Sequence, residues 1–452
     1  MSNLISKYNV PGPRYTSYPT VPFWKQDTFS EDNWIFELNK SFKLTNSNEG
    51  ISIYIHLPYC ESLCTFCGCH KYITKRHEVE EPYINAVLLE WQLYLNIFSE
   101  KPIIKELHLG GGTPTFFSCN ELKRLINGIF NNAEKHENIE LSFEGHPNNT
   151  TYEHLQTLYD LGFTRVSFGV QDYDEKVQKA IHRIQPFEKV ENVTKMAREI
   201  GYKSVSHDII YGLPFQNENS IINTVNKTAQ LMPDRISFYS YAHVPWIKGN
   251  GQRGFNEEDL PKNDQKRMLY ELGRNLLQEN GYHEIGMDHF SKDSDDLYKS
   301  FKNQKLHRNF MGYTAFKTTV LIGLGASSIS DCGTAFAQNE KDVKKYLIAL
   351  EKKKLTVVKG HVLSNKDLIL RNTILDIICR FKTDLTSVYP IISKESILNR
   401  LSEFLKDELI LIDNNTLIVT DLGKTFVRNI CMAFDEYLVE SNPKNQLFSM
   451  TI

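Results

Sequence analysis

Segments typical of β-strands alternate with segments of helical period between residues 51 and 241, and this alternation limits the folds open to the chain. The strands, rich in β-branched and aromatic residues, are predicted at 51–57, 104–109, 139–144, 164–169, 204–210 and 235–241. Such alternation requires right-handed crossovers and a parallel sheet. Six or so units are too few for a closed eight-stranded barrel. We therefore predict an α/β fold with an incomplete (β/α)6 barrel, whose functional residues lie at the C-terminal ends of the strands.

The segments that flank this region have different patterns. Four prolines and one glycine within residues 1–22 exclude a helix there and predict an extended arm. Ser30 is a plausible N-cap for a helix over residues 29–43. Towards the C-terminus, helical segments precede a hairpin over residues 408–420, which is the order of a winged-helix-like unit. We expect three parts: 1–47 (arm and helix covering the active site), 48–292 (partial barrel) and 293–452 (mainly helical, winged-helix-like).

Four of the eight cysteines fall within ten residues, just beyond the first predicted strand. Cys60, Cys64 and Cys67 are spaced by four and three, and Cys69 follows. Disulfides need an oxidising compartment, which nothing else in the sequence suggests. A structural zinc site usually uses two distant Cys-x-x-Cys pairs, and only one such pair is present. The pattern favours an iron–sulfur cluster, and C-x3-C-x2-C resembles the radical S-adenosylmethionine (SAM) superfamily.

The later strands end in residues that suit ligand binding. The second strand is followed by Gly110-Gly111-Gly112, where the backbone can approach a ligand closely. Single polar residues then come about once per βα unit, at or near the strand ends: Glu144, Gln171, Arg183 and Asp208. Among them, Arg183 is suited to bind a carboxylate. Each alone is more often a surface or capping residue, but one at each strand end predicts a common site.

The chain of 452 residues has a net charge of −3, with acidic and basic residues interspersed. This distribution argues against nucleic acid as a partner, because such binding needs a clustered basic face. No apolar run approaches a membrane span, and the first residues lack the apolar core of a signal peptide. We expect a reduced, cytoplasmic protein.

Motifs in nearly the whole chain resemble the oxygen-independent coproporphyrinogen III oxidase (coproporphyrinogen dehydrogenase) family. They lie at residues 11–19, 60–69, 110–114, 169–172, 208–214, 241–243, 286–290, 307–314 and 428–432. Two departures are Gly145-His146-Pro147, where x-Asp-Pro is usual, and an insertion-like segment at 246–253.

The resemblance implies a set of site residues. Cys60, Cys64 and Cys67 would hold a [4Fe-4S] cluster, and Tyr54 and Cys69 would be catalytic. Two SAM molecules would be bound by Tyr54, Phe66, Gly111, Gly112, Thr113, Glu144, Gln171, Arg183, Asp208, Ile210, Ala242 and Ile329. Arg14, Tyr15, Arg308 and Tyr313 are candidates for the substrate.

The resemblance also implies an activity. The reduced cluster would cleave SAM to a 5′-deoxyadenosyl radical, which takes a hydrogen atom from a propionate β-carbon. Carbon dioxide then leaves and a vinyl group remains, and two such steps convert coproporphyrinogen III into protoporphyrinogen IX in heme biosynthesis. Expected partners are an external reductant and an electron acceptor, and the protein is expected to be a monomer.

Related heme chaperones are the main alternative. They share the barrel and cluster motifs but lack the arm and the fourth cysteine, and carry a His-Asn-x-x-Tyr-Trp motif. Here Arg308 separates His307 from Asn309, and Thr314 stands at the tryptophan position. Heme-opening radical SAM methyltransferases and a structural zinc module are further alternatives.

Overall fold

The structure is a computed structural model that describes residues 2–24, 29–245, 252, 254–441, 443 and 446–451. Its helices are α1 (Ser2–Tyr8), α2 (Glu31–Glu49), α3 (Glu80–Ile97), α4 (Cys119–Phe130), α5 (Tyr152–Asp160), α6 (Glu175–Ala180), α7 (Phe187–Ile200), α8 (Glu218–Gln230), α9 (Asn263–Glu279), α10 (Asp296–Lys302), α11 (Val343–Glu351), α12 (Asn365–Arg380), α13 (Lys394–Lys406), α14 (Val427–Met432) and α15 (Glu436–Ser441). Short 3-10 helices span Val21–Phe23, His77–Val79, Pro114–Phe116, Glu257–Asp259, Leu385–Ser387 and Gly423–Phe426.

The strands are β1 (Ile51–Leu57), β2 (Tyr59–Cys60), β3 (Tyr72–Ile73), β4 (Ile103–Gly111), β5 (Glu134–Gly145), β6 (Arg165–Gln171), β7 (Ser204–Tyr211), β8 (Arg235–Ser240), β9 (His283–Gly286), β10 (His289–Ser291), β11 (His307–Asn309), β12 (Gly312–Thr314), β13 (Val320–Leu324), β14 (Ile329–Asp331), β15 (Ala335–Asn339), β16 (Val357–Val362), β17 (Lys382–Asp384), β18 (Ile410–Asp413) and β19 (Thr416–Val419).

One twelve-stranded sheet organises the fold, in the order β16-β15-β14-β13-β1-β4-β5-β6-β7-β8-β10-β9. The strands from β13 to β8 in this order are parallel, and those at both ends are antiparallel. The six predicted strands are β1 and β4–β8, so the predicted partial barrel is confirmed. The sheet does not end near residue 292, however, because β13 pairs with β1 and brings residues 320–362 into the same sheet.

The register places side chains that point to one face of the sheet side by side. Tyr54 of β1 lies opposite His108 of β4, and His108 lies opposite Ser142 of β5. Because side chains alternate along a strand, these residues share a face. The other face packs against helices in an apolar core that includes Ile53, Leu107 and Phe143.

The N-terminal segment differs in part from the prediction. Residues 2–8 form helix α1, because the proline run that excludes a helix begins only at Pro11. Lys7 binds Glu403 and Asp407, and the Tyr8 ring stacks on Phe404, so α1 is docked on the C-terminal part. Helix α2 has the predicted Ser30 N-cap but continues to Glu49 instead of ending near residue 43.

Arg428 joins the N-terminal arm, at Gly12 and Pro13, to the extended segment at residues 449–451. Its guanidinium donates to the carbonyl oxygens of Gly12 and Pro13 on the arm and of Met450 and Thr451. Backbone hydrogen bonds between Gly12 and Ser449 and between Thr451 and Val10 add to this junction. Segments more than 400 residues apart in sequence are therefore joined by one buried cation.

The C-terminal part contains the predicted hairpin. Strands β18 and β19 pair antiparallel, and β17 joins them in a three-stranded sheet beside α12 and α13. Asn414 and Asn415 form the turn with φ of 46° and 67°, a conformation that asparagine tolerates better than most residues. Among the described residues, no helix is long and apolar enough to cross a membrane.

Candidate active site

The cysteine loop follows β1 and is fixed by backbone contacts. The Thr65 amide donates to the Ile181 carbonyl at 3.0 Å, and the Cys67 amide donates to the Cys64 carbonyl at 3.2 Å. The Thr65 hydroxyl donates to the Ala180 carbonyl, so the loop is anchored on the end of α6. All its cysteines are free thiols.

Hydrogen-bond donors and positive charges surround the thiols. The Thr113 hydroxyl lies 3.3 Å from Cys60 Sγ, and Arg183 Nη1 lies 3.6 Å from Cys64 Sγ. The hydrogen bond with Cys69 and the charge of Lys71 lower the pKa of the Cys67 thiol to about 6 against its burial. The surroundings of Cys67 therefore favour a thiolate, the form that binds an iron–sulfur cluster, whereas burial raises the pKa of the Cys60 thiol to about 11. Within the described part of the chain, no three His, Cys, Asp or Glu side chains converge on a single-ion site.

A cavity of about 400 Å³ lies between the cysteine loop and the ends of the parallel strands, and we call it the cluster cavity. It brings together most of the predicted residues from separate βα units. The predicted residues that line it are Cys60, Cys64, Phe66, Cys67, Cys69, Gly111, Gly112, Thr113, Glu144, Gln171, Arg183, Asp208 and Ile210.

The glycine turn after β4 allows close packing against β1 and the loop that follows it. Gly111 has φ of 114°, and a Cβ there would lie 2.9 Å from the His56 ring. A Cβ on Gly112 would lie 2.6 Å from the Pro58 backbone. The Gly112 amide donates to Leu57 O at 2.8 Å. These glycines therefore hold the Thr113 side of the cavity against the cysteine loop.

Glu144, at the end of β5, stands between the glycine turn and His108. Its Oε2 accepts from the Gly111 amide at 3.3 Å, and its Oε1 lies 3.6 Å from His108 Nε2. The His108 ring stacks near Tyr54, and the Tyr54 hydroxyl donates to His56 Nδ1 at 3.1 Å. His56 Nε2 in turn donates to the His70 carbonyl, next to Cys69. A row of hydrogen bonds, one charged contact and one ring contact thus joins the strand ends to the cysteine loop.

Arg183 and Gln171 are positioned by the region after β6. A register shift between Gly169 and Gln171 forms a bulge, with Gln171 at φ of 70°. Arg183 is 8% exposed and donates to Gly169 O at 2.8 Å and to Gln185 Oε1 at 3.1 Å. These contacts direct the guanidinium towards both Cys64 and the cavity.

Asp208 of β7 is a half-buried carboxyl at the cavity wall. Ser167 donates to it at 3.1 Å. Burial raises the pKa of Asp208 to about 6, despite the hydrogen bonds from Ser237 and Ser167. It is therefore poised as a hydrogen-bonding group for a polar or cationic ligand.

A second cavity of about 320 Å³ adjoins the first and shares Cys69, Gly111 and Glu144 with it. Tyr54 and Ile329 line this second cavity, not the cluster cavity. Cys69 lies at the junction of the two. Ala242 lines neither; its carbonyl accepts a hydrogen bond from Gln252, which also donates to Phe66 O. Apart from Gln252, the insertion-like residues 246–253 lie outside the described residues.

Three of the four candidate substrate residues are neighbours, because Arg308 contacts both Arg14, whose carbonyl accepts from its Nη2 at 3.5 Å, and Tyr313, whereas the Tyr15 side chain lies elsewhere. Arg14 pairs with Asp288 at 2.6 Å, and Arg308 lies over the Tyr313 ring at 4.7 Å. Tyr313 lines a smaller cavity of about 90 Å³ inside the barrel. Tyr15 is 2% exposed and donates to Asp435, so it faces the C-terminal core rather than the cavities.

Sequence reasoning missed several residues that line the cavities. His56 and His108 line the second cavity, and Tyr239 and His146 line the cluster cavity. The two-residue period of β1 and β4 places His56 beside Tyr54 and His108 two positions before Gly110, and this period was the available signal. Burial and the nearby Arg183 lower the pKa of His146 to about 2, so it is a neutral ring in the cavity wall.

Comparison with known proteins gives matches across the chain. Residues 54–228 match the radical SAM superfamily. The oxygen-independent coproporphyrinogen III oxidase of Helicobacter pylori (strain ATCC 700392 / 26695) is 39% identical over 442 residues, which cover 96% of each chain. The protein of that name from Escherichia coli (strain K12) is 36% identical, covering 99% of this chain and 98% of its own.

A solved structure agrees with the fold. Coproporphyrinogen III oxidase from Escherichia coli, described as a radical SAM enzyme, is 35% identical with a TM-score of 0.88. The match covers 94% of this chain and 98% of that one. The partial barrel and the regions on both sides of it are thus shared with a solved relative.

Proposed function

This chain belongs to the family of oxygen-independent coproporphyrinogen III oxidases, and we propose that it converts coproporphyrinogen III into protoporphyrinogen IX by oxidative decarboxylation of two propionate groups. The observation that carries the proposal is the cluster cavity, where four free thiols, three of them in the C-x3-C-x2-C pattern, face polar residues from the ends of β4–β7. The heme-chaperone alternative has less support, because relatives that match nearly the whole chain carry the oxidase name.

Cys60, Cys64 and Cys67 would hold a [4Fe-4S] cluster, and the donors next to Cys60 and Cys64 suit thiolate ligands. When bound and reduced, the cluster with SAM supplies the radical that takes a hydrogen atom from a propionate β-carbon. For each propionate, the carboxyl carbon leaves as CO2 and one electron passes to an external acceptor, which leaves a vinyl group.

The strand ends would bind the polar groups of SAM. Arg183 supplies N–H groups for a carboxylate, and Glu144 supplies an acceptor for an ammonium or hydroxyl group. Asp208 and Gln171 would contact ribose hydroxyls, while Phe66 and Ile210 supply apolar contacts. Gly111, Gly112 and Thr113 form the backbone edge next to Glu144.

The second cavity would bind a second SAM molecule against Tyr54 and Ile329. Cys69 lies between the two cavities and is therefore placed to serve the reaction rather than to ligate iron. Ala242 would act through its backbone only, because its side chain lines neither cavity.

The arm would exclude water from the reacting carbon. Arg14 lies 6.0 Å above the ring of Tyr239, which lines the cluster cavity, and Trp24 packs against Phe310 at the second cavity. Arg14 and Arg308 would face substrate carboxylates, with Tyr313 and Tyr15 supporting them. A carbon radical needs such shielding from solvent.

The reaction needs an electron donor and an acceptor, so we propose an external reductant and an oxidant as partners. The free thiols of the cysteine loop require a reducing compartment, which favours the cytoplasm. We propose that the protein acts as a monomer.

The test is an anaerobic assay of the reconstituted protein with SAM, dithionite and coproporphyrinogen III. The expected product has lost two CO2 per molecule, as measured by mass, with 5′-deoxyadenosine formed alongside. SAM cleavage with unchanged coproporphyrinogen III would contradict the proposal, and heme binding would then be measured.

A further inference from the structure

A group of five cationic side chains lies beside the active-site cavities, and we call it the cationic chamber. Its members come from the arm, α9, β11 and α14; they are Arg14, Lys266, Arg267, Arg308 and Arg428. Part of this region is a cavity of about 50 Å³ whose lining includes Arg14, Arg267 and Arg428, together with Lys424, which pairs with Asp421.

The acidic groups in this region do not balance the cations. Asp288 accepts from Arg14 at 2.6 Å and lies 2.9 Å from His289 Nδ1. Glu271 pairs with Arg267, and Glu284 lines the chamber, but both also pair with Arg274 outside it. Among the described residues the chamber thus has more buried positive than negative charge, which is unfavourable unless an anion completes it.

Two of the guanidinium groups carry unused donors. Arg308 is 5% exposed, and within the described part of the chain its Nε and Nη1 have no hydrogen-bond partner. Arg267 is 6% exposed, and its Nε likewise has none among those residues. Buried guanidinium N–H groups are normally paired, so these donors indicate a missing acceptor.

The chamber is next to the cluster cavity but separate from the cysteine loop. Tyr239 of β8 lines the cluster cavity, and the next residue, Ser240, lines the chamber. Arg14 spans both, since it lies over the Tyr239 ring and donates to Ser240 O. A ligand that lies over Tyr239 can therefore reach the chamber with a short substituent such as a propionate.

We propose that the cationic chamber binds a carboxylate of the substrate other than the one being decarboxylated. This inference rests on the proposed function, which supplies a substrate with four propionate groups. The volume at Arg14, Arg267 and Arg428 suits a carboxylate and is far too small for a tetrapyrrole ring. Arg267, which lines this volume, donates to the carboxylate, and Arg308 adds unpaired N–H donors and positive charge on the Arg14 and Asp288 side of it. The chamber thereby sets which propionate lies at the cysteine loop.

The test separates binding from turnover. Binding of coproporphyrin III, a stable tetracarboxylate, and of its tetramethyl ester is measured by fluorescence for the wild type, Arg308→Gln, Arg267→Gln and the control Arg274→Gln. Arg274 lies two turns after Arg267 on α9 and does not line the chamber. We expect the two chamber variants to lose about tenfold to hundredfold in affinity for the acid only, and the control to change less than threefold.

Conservative variants and turnover measurements complete the experiment. Arg308→Lys and Arg267→Lys keep the charge and should recover part of the affinity, with unchanged melting temperatures. In turnover, the chamber variants should raise KM by a similar factor. Equal losses for the acid and the ester, or equal effects of Arg267→Gln and Arg274→Gln, would overturn the proposal.

Phosphate binding and turnover distinguish failure of this inference from failure of the proposed function. Inorganic phosphate that stabilises the wild type, with acid binding unaffected in the chamber variants, would make the chamber a free-anion site and overturn the inference. If the wild type binds coproporphyrin III through the chamber but does not decarboxylate coproporphyrinogen III, only the proposed function fails.

Discussion

Arg183 offers the sharpest test of the cluster cavity, because its hydrogen bonds can be counted. A guanidinium has five N–H groups. Three are used, by Gln185, Gly169 and the Cys64 sulfur. Two therefore remain, one on each terminal nitrogen, on a side chain that lines the cavity.

Two charge-assisted hydrogen bonds to the SAM carboxylate are worth about 2–4 kcal/mol in a partly solvated cavity, so Arg183→Met should weaken SAM binding by about 30- to 1000-fold. Arg183→Lys keeps the charge beside Cys64 but lacks the planar fork, and should lose about 5- to 30-fold. The assay is anaerobic calorimetry of SAM binding, with iron and sulfide content measured for each sample.

Arg198→Met is the control, because Arg198 pairs with Asp234 away from the cavity. The reasoning would be refuted if Arg183→Met bound SAM within about threefold of the wild type while its iron content was unchanged. It would also be refuted if Arg183→Lys and Arg183→Met behaved alike.

Two further predictions concern the thiols and a buried carboxyl. Replacing Cys60, Cys64 or Cys67 by alanine should abolish cluster absorption and turnover, whereas Cys69→Ser should keep the absorption; loss of absorption in Cys69→Ser would make Cys69 a ligand. Glu90 accepts from Gly325, Asn339 and Tyr346, and burial raises its pKa to about 7. Because the folded state then binds this proton more tightly than the unfolded state, stability is greatest below about pH 4.5 and falls by about 3 kcal/mol as the pH rises towards 7. The free energy of unfolding of Glu90→Gln, measured by denaturation at several pH values, should fall less between about pH 4.5 and pH 7 than that of the wild type. If the free energies of unfolding of the wild type and the variant depend on pH in the same way, Glu90 does not cause the loss of stability.

The barrel strands were predictable because their signals are local. The alternation of apolar residues in β1 and the residues at the ends of β4–β7 are visible in short windows of sequence. The cysteine loop and the glycine turn were likewise predictable, since both are contiguous. The close packing of Gly111 on His56 follows from strand pairing and could not be seen in the sequence.

Other features depend on contacts between distant segments. Nothing local to Val320–Leu324 indicates that it pairs with β1, so the boundary expected at residue 292 missed the rest of the sheet. Helix α1 depends on Glu403 and Asp407, which lie about 400 residues away. The cationic chamber combines side chains from four elements, each of which is an ordinary charge in its own segment.

The junction made by Arg428 fixes the order in which the molecule can be assembled during synthesis. The arm is synthesised before the barrel, whereas its partners at residues 428 and 449–451 are synthesised after it. While the barrel is being translated, the contacts of Arg428 with the arm therefore cannot form. Docking of the arm becomes a late event, and a bulky fusion after residue 451 would interfere with docking of the arm rather than with folding of the barrel.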